Sequence, residues 1–201
     1  MKFYLYLCFS KFSFEEFNAP RKRYKVGILH KNFNLLVSCP RFHEKDAIAE
    51  IWYLYSNIGD NEVKAEQTIF PGLITAKTQL NPLESIRNLR DLIKTDPLIL
   101  KFVLKIMPIE TIVDTTQENI NKVASDLGSR ILPNETFRIT AKSRFSRINP
   151  QELILEVAHF IDRKVNLTAP NKILLIQILG TITGLSLIEP DNILTKTEFL
   201  E

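Results

Sequence analysis

The sequence predicts an α+β (α/β) fold built from two consecutive units. Short apolar segments of strand length alternate with longer segments in which apolar residues recur at the period of a helix. Residues 81–84 and 149–152 each read Asn-Pro-x-Glu, which marks a helix start because Asn caps, Pro fits the first turn and Glu favours the positive helix end. The order of elements changes near residue 110, and this change indicates a boundary between two units.

The first unit has the order β-α-β-β-α-β. The predicted elements are a strand at 33–39, a helix at 47–58, strands at 62–68 and 73–77, a helix from 81 to before Pro97, and a strand at 98–107. The dipeptide Gly59-Asp60 ends the first helix, and Phe70-Pro71-Gly72 marks the turn between the middle strands. Trp52 is expected to pack beside the buried face of the first helix. The order is that of a ferredoxin-like sandwich, an antiparallel sheet under two helices.

The second unit has the order α-β-α-β-β. Thr115 and Glu118 have capping-box spacing, and the helix that they begin ends before Pro133. The remaining predicted elements are a basic strand from 136, a helix from 149 to 165, a nearly all-apolar strand at 173–179 and a strand at 182–188 after Gly180. A strand, a helix and a buried strand imply a right-handed parallel crossover. The last strand follows too closely to do anything but return antiparallel, so the sheet is mixed.

The predicted domains are an N-terminal extension at 1–30, a ferredoxin-like domain at 31–110 and the α-β-α-β-β domain at 111–195. The extension begins with MKFYLYLCFS, a poor signal peptide because ten apolar residues are followed by Glu15-Glu16 and not by a small-residue cleavage site. A basic cluster lies in or just after it, at Arg21, Lys22, Arg23, Lys25 and Lys31. We favour an appendage or an extra strand over an RNA-contacting arm.

Composition excludes several classes of protein. The 201 residues carry a net charge of +3 and are 45% hydrophobic and 24% charged, as in an ordinary globular protein. A net charge this small means that any anion-binding surface must come from local clustering. The longest apolar runs fall far short of a membrane span, so no membrane partner is expected. Cys8 and Cys39 match no zinc spacing and are expected to be free buried thiols in a reducing compartment, which favours a cytoplasmic location.

The basic stretch from 136 to 152, TFRITAKSRFSRINPQE, is the strongest functional signal. Four cations fall within ten residues, and no acid lies between Glu135 and Glu152; the cations are Arg138, Lys142, Arg144 and Arg147. Such a surface suits a nucleic-acid backbone, with a merely solvated strand face as the alternative. Phe145 lies among these cations and could stack on an unpaired base, or it could be a core aromatic at a strand end.

Catalysis is not expected. The six glycines form no phosphate-binding or dinucleotide-binding loop, and no nucleophile elbow or deaminase zinc signature is present. The three histidines are scattered without metal-ligand spacing. The sequence therefore predicts a non-catalytic protein with no metal and no cofactor. A small enzyme of unfamiliar type stays open as an alternative, and an acidic pocket of ligand size would favour it.

Several strings resemble the THUMP domain of RNA-modification proteins. In the second unit they are TFRITAKSRFS, the helix around 152–165, and VNLTAPNKILLIQILGTITGLSLI. In the first unit NLLVSC, the helix ending IGD, GLITAKT and LKIMPIETIV resemble the stand-alone THUMP proteins that assist tRNA cytidine acetylation. The resemblance covers about residues 33–190.

The resemblance implies a specific role. THUMP domains with a ferredoxin-like partner bind tRNA at its acceptor end, and the stand-alone proteins present tRNA to a separate acetyltransferase. It therefore implies a tRNA-binding adaptor, with Lys77 at the end of GLITAKT as a further RNA contact. The alternatives are an RNA-binding subunit for tRNA methylation or thiolation, and a protein-interaction module that uses its sheet edges without binding RNA.

Overall fold

The structure is a computed structural model that describes residues 31–199, and the prediction for the 1–30 extension falls outside them. The first sheet and its helices have these bounds: β1 Leu35–Ser38, α1 Glu44–Asn57, β2 Lys64–Gln67, β3 Leu73–Lys77, α2 Pro82–Thr95 and β4 Lys105–Pro108. The strands are antiparallel in the order β4-β1-β3-β2, which is the ferredoxin-like order.

The second sheet is mixed, as predicted. Its elements are β5 Thr111–Asp114, α3 Gln117–Gly128, β6 Thr136–Arg144, α4 Pro150–Ala158, β7 Lys164–Val165, β8 Lys172–Leu179 and β9 Ile182–Ile188. The strand order is β5-β9-β8-β6-β7. Strands β6 and β8 are parallel and joined through α4, and β9 returns antiparallel to β8. The predicted α+β fold class is confirmed.

The chain then returns to the first sheet. After β9, a short 3-10 turn leads into β10 (Leu194–Thr195), which pairs antiparallel with β4. Sequence patterns missed three short strands, β5, β7 and β10, because segments of two to four residues carry too little periodicity. Within residues 31–199 no helix has the length and apolar content needed to cross a membrane.

The two sheets pack back to back. In β1, Leu35 and Val37 face the helices of the first unit, whereas Leu36 points toward the second sheet. In β8, Leu174 likewise faces helices and Leu175 faces the first sheet. The layer shared by the two sheets is apolar and buried; it consists of Phe33, Leu36, Phe70, Leu73, Met107, Ile109, Ile173, Leu175, Leu179, Ile182 and Ile188.

Three local predictions are wrong. The segment 98–107 is a strand only from Lys105, because residues before it are held by a side chain described below. The fourth helix ends at Ala158, and Val165 lies half exposed in β7, where it pairs with Phe137. Trp52 is 52% exposed because Ile51, Leu54 and Tyr55 occupy the inward positions of α1.

A buried carboxylate replaces strand pairing before β4. The backbone N–H groups of Lys101, Phe102 and Val103 donate to the Glu50 carboxylate at 2.7–3.1 Å. Glu50 is buried, and these N–H groups satisfy the oxygens that it takes away from water. This contact ties α1 to the segment before β4 and explains why that segment is not a strand.

A second buried carboxylate joins two of the strings quoted above. Asp60, from IGD, accepts from the Thr78 hydroxyl at 2.5 Å and from the backbone N–H of Gln79 at 3.0 Å, directly after GLITAKT. At the other end of that string, the N–H of Gly72 donates to Glu44 at 2.7 Å, and this bond helps to hold the pKa of Glu44 below its usual value despite burial. Part of the motif content of the first unit is therefore structural.

Replacing Glu50 with Ala should lower the free energy of unfolding by at least about 2 kcal/mol. Three backbone donors lose their acceptor, and an unsatisfied buried donor costs about 1–3 kcal/mol. The measurement is urea denaturation, with the midpoint falling and the slope unchanged. Glu62→Ala is the matched control, since that side chain is exposed and accepts no hydrogen bond within residues 31–199. Equal midpoints for the two variants would contradict this account of Glu50.

Candidate nucleic-acid interface

Strand ends from both sheets meet at one end of the molecule. In the first sheet, Ser38 at the end of β1 pairs with Leu73 at the start of β3 and with Lys105 at the start of β4. The end of β6 lies beside them, because the Phe145 ring contacts Phe70 and the charge of Lys142 acts on Lys105. We call this region the basic end; its cations are Arg41, Lys105, Lys142, Arg144 and Arg147.

The predicted cations of β6 share one face of the second sheet. Arg138, Lys142 and Arg144 alternate with the core-facing residues, and at about 3.3 Å per residue the first and last are about 20 Å apart. Arg138 lies at the far end of the strand, where its guanidinium donates to the Leu167 carbonyl at 2.8 Å. Arg138 therefore holds the loop that contains Leu167, whereas Lys142 and Arg144 reach the basic end.

The cations at the end of β6 have no acidic partner within residues 31–199. Lys142 and Arg147 are exposed, and Arg144 is half buried with its Nη1 lacking a hydrogen-bond partner in that same range. Burial lowers the pKa of Arg144, although a guanidinium stays charged at any physiological pH. A partly desolvated cation attracts an anion more strongly than one in open water, because less solvent screens it.

The structure adds Lys105, which sequence reasoning missed. Burial lowers the pKa of its ammonium, and the nearby Lys142 charge lowers it further, while Glu198 partly offsets both. Lys105 shares its side of β4 with Met107, which belongs to the layer between the sheets. Strand alternation predicts which face of β4 carries Lys105. Its proximity to Lys142 arises only because the two sheets pack together.

A buried polar side chain lies beside these lysines. Gln177 is paired in register with Lys142 on one side and with Gly184 on the other. It is buried, and neither its amide nitrogen nor its amide oxygen has a partner among the residues that the structure describes. The layer between the sheets is therefore polar where it approaches the basic end.

Phe145 is presented to solvent on a rigid base. Its ring is 73% exposed, its backbone φ is +51°, and its centroid is 5.2 Å from that of the buried Phe70. The alternative of a core aromatic is wrong, because most of the ring faces water. An exposed ring supported from one side is free to stack on a planar group from the other.

Lys77 does not join the basic end. It is the last residue of β3, four positions from Leu73 and so about 13 Å along the strand. It pairs with Lys64 on the edge strand β2, and both line a hollow of about 190 Å³ with Glu66. As an RNA contact, Lys77 would require a ligand that extends along the whole first sheet.

A hollow of about 360 Å³ lies between the two units. Its carboxylate, Glu110, is ion-paired with Arg130, and its Ser186 hydroxyl donates to the Pro108 carbonyl. It is not the acidic pocket that would favour an enzyme.

The described residues also hold no cluster of three His, Cys, Asp or Glu side chains placed to bind a metal. Burial raises the pKa of the Cys39 thiol to about 11, which makes it a poor nucleophile.

The fold and the basic end define a two-unit α+β module with a ferredoxin-like sheet packed on a mixed sheet. No protein-family model and no curated protein matches the chain. Among solved structures it is similar to PH1313 from Pyrococcus horikoshii, with TM-score 0.56 and 16% identity, and to TrmN from Thermus thermophilus, with TM-score 0.51 and 14% identity. These alignments cover 78% and 76% of this chain but 55% and 44% of those chains, so it spans about half their length.

A third match is more similar in sequence. It is the solution structure of the THUMP domain of THUMP domain-containing protein 1, with 31% identity over 36% of this chain and 83% of that one, and a TM-score of 0.32. The chain is therefore similar in sequence to a THUMP domain over about a third of its length.

Replacing Lys142 with Gln should raise the pKa of Lys105, because removing a like charge makes protonation of the remaining lysine easier. The burial contribution stays, so the pKa should remain below its ordinary value. The measurement is an NMR titration of the Lys105 side-chain ε carbon and protons. Lys122→Gln, on the exposed face of α3, is the control and should leave the titration unchanged. An unshifted Lys105 in the Lys142 variant would mean that the two charges do not meet at the basic end.

Proposed function

We propose that this protein is a tRNA-binding adaptor that presents tRNA to a separate modifying enzyme, most specifically a cytidine acetyltransferase. The observation that carries the proposal is the convergence of cations from both units at the basic end, beside the exposed Phe145. Within residues 31–199, the cations at the end of β6 have no acidic partner. The similarity to a THUMP domain supports RNA as the polyanion. The acetyltransferase partner rests on the resemblance of the first unit to stand-alone THUMP proteins.

Each part of the site has a distinct task in this proposal. Lys105, Lys142 and Arg147 neutralise phosphates, and Arg144 can bond two phosphate oxygens through its planar guanidinium. Phe145 stacks on an unpaired base, which is sequence-tolerant because every base has a π face. A single-stranded 3′ end suits this combination better than a duplex, because an A-form helix buries its base faces and offers mainly shape and backbone.

In this proposal the protein positions the tRNA and catalyses no reaction itself. Holding tRNA and a catalyst together lowers the entropic part of the barrier without any reacting group on the adaptor. The runner-up functions are an RNA-binding subunit for tRNA methylation or thiolation, and a protein-interaction module. The first keeps the same RNA surface with a different enzyme, and the second requires no RNA affinity at all.

The affinity for tRNA should fall steeply as salt rises. For roughly four phosphate contacts, the slope of log affinity against log salt concentration is about −3 to −4. Replacing Lys142 and Arg147 together with Ala should flatten the slope by about 1.5 to 2, since two contacts are lost. Fluorescence anisotropy over a salt series measures it. The control replaces Lys122 and Lys164 together with Ala. Lys122 is exposed on α3, and Lys164 is exposed on β7 beside the start of β6, so this variant loses the same net charge and should leave the slope unchanged. Equal slopes for the two double variants would favour a merely solvated strand face.

A strain that lacks the gene should lose acetylcytidine from its bulk tRNA, because the acetyltransferase then meets its substrate without a presenting partner. Nucleoside mass spectrometry measures acetylated, methylated and thiolated nucleosides together. Restoring the gene with Lys142 and Arg147 both replaced by Ala should rescue acetylation poorly. Restoring it with Lys122 and Lys164 both replaced by Ala should rescue acetylation fully. Normal acetylcytidine would refute the acetylation role, and loss of a methylated or thiolated nucleoside instead would support the runner-up.

A further inference from the structure

Phe42 and Phe145 share a rare backbone state. They are the non-glycine residues with positive φ in residues 31–199, at +71° and +51°. A bulky residue in this region is strained, at a cost on the order of 1–3 kcal/mol, and such strain persists where the surroundings impose it, often at ligand sites. The Phe42 ring is 93% exposed, so packing of the side chain does not explain its conformation.

One turn holds both phenylalanines at the basic end. The Phe70 ring supports Phe145, and the same turn continues through Pro71 to Gly72. The backbone N–H of Cys39 donates to the Gly72 carbonyl at 3.0 Å, and a Cβ at Gly72 would lie 2.8 Å from the Cys39 carbonyl oxygen. Only glycine allows this approach, which fixes the loop that carries Phe42 against the turn.

The loop of Phe42 brings its own positive charge. Arg41 is exposed, and its Cγ would lie 3.6 Å from a Cβ at Gly72, so it lies directly beside the turn. The nearest acid in sequence, Glu44, is buried and accepts from the Gly72 N–H. Phe42 is therefore preceded by an exposed cation, Arg41. Phe145 likewise lies between two cations, Arg144 and Arg147.

We infer that Phe42 is a second stacking residue, so that a single-stranded nucleic-acid end runs from Phe145 across the 70–72 turn to Phe42, with Arg41 contacting its backbone. The inference rests on the proposed function and extends it, because it adds a contact from the first unit to one from the second. Two aromatic rings beside cations match a chain of alternating planar bases and phosphates. Both phenylalanines have positive φ and are largely exposed.

The test compares Phe42→Ala with the parent protein on intact tRNA, on the same tRNA trimmed of its single-stranded 3′ nucleotides, and on a short single-stranded RNA. Ala also carries a Cβ, so the backbone strain is matched and thermal unfolding should not change. Affinity for intact tRNA and for the short RNA should fall about 5- to 150-fold, the range of one base–aromatic stack. Phe42→Tyr should retain affinity, and Tyr53→Ala, an exposed aromatic on α1, should behave as the parent.

The trimmed tRNA separates stacking from a structural role. With the 3′ nucleotides removed, Phe42→Ala and the parent should bind equally, and a loss of equal size on both tRNAs would overturn the inference. Unchanged affinity of Phe42→Ala for intact tRNA would also overturn it while leaving the proposed function in place. Failure of the parent protein to bind tRNA at all would remove both.

Discussion

The apolar layer between the two sheets is the constraint on which the rest of the molecule depends. Each sheet covers its other face with helices, so neither can expose its inner face to water without losing the burial of residues such as Leu36 and Leu175. The strand β8 is buried on both faces and contributes to two of the three apolar clusters. Because the layer fixes one sheet on the other, it also fixes which strand ends lie side by side.

The basic end is a consequence of that packing. Lys105 belongs to the first unit and Lys142 to the second, and their charges interact because the start of β4 and the end of β6 lie at the same rim of the shared layer. Like charges held this close destabilise the free protein, and a bound polyanion would relieve the repulsion. Within residues 31–199, β7 pairs with β6 only at Thr136 and Phe137, so the rest of this edge of β6, which carries Lys142 and Arg144, is unpaired. Charged side chains on an unpaired edge discourage pairing with another chain.

The sequence predicted the fold where local signals were strong. Asn81 caps α2 by accepting from the backbone N–H groups two and three residues later, and Asn149 caps α4 by accepting from the one two residues later. Gly180, with φ of +63°, forms the turn between β8 and β9. It failed where long-range contacts decided. The pattern of 98–107 is apolar enough for a strand, but Glu50, about fifty residues earlier, takes the N–H groups. The same limit applies to the site: alternation gave the face of β6, whereas Lys105 and Phe42 became visible only once the two units were packed.

The pairing of β10 with β4 has a consequence for biosynthesis. The ribosome makes residues 31–108 first, yet the outer edge of β4 is covered by Leu194 and Thr195, which emerge after the whole second sheet has been made. Arg90 of α2 likewise donates to residues that are made late: the carbonyls of Asp191 and Ile193, at 2.6 and 2.9 Å. In the nascent first unit, therefore, the outer edge of β4 stays unpaired and Arg90 lacks these two acceptors until residues 191–195 have been made.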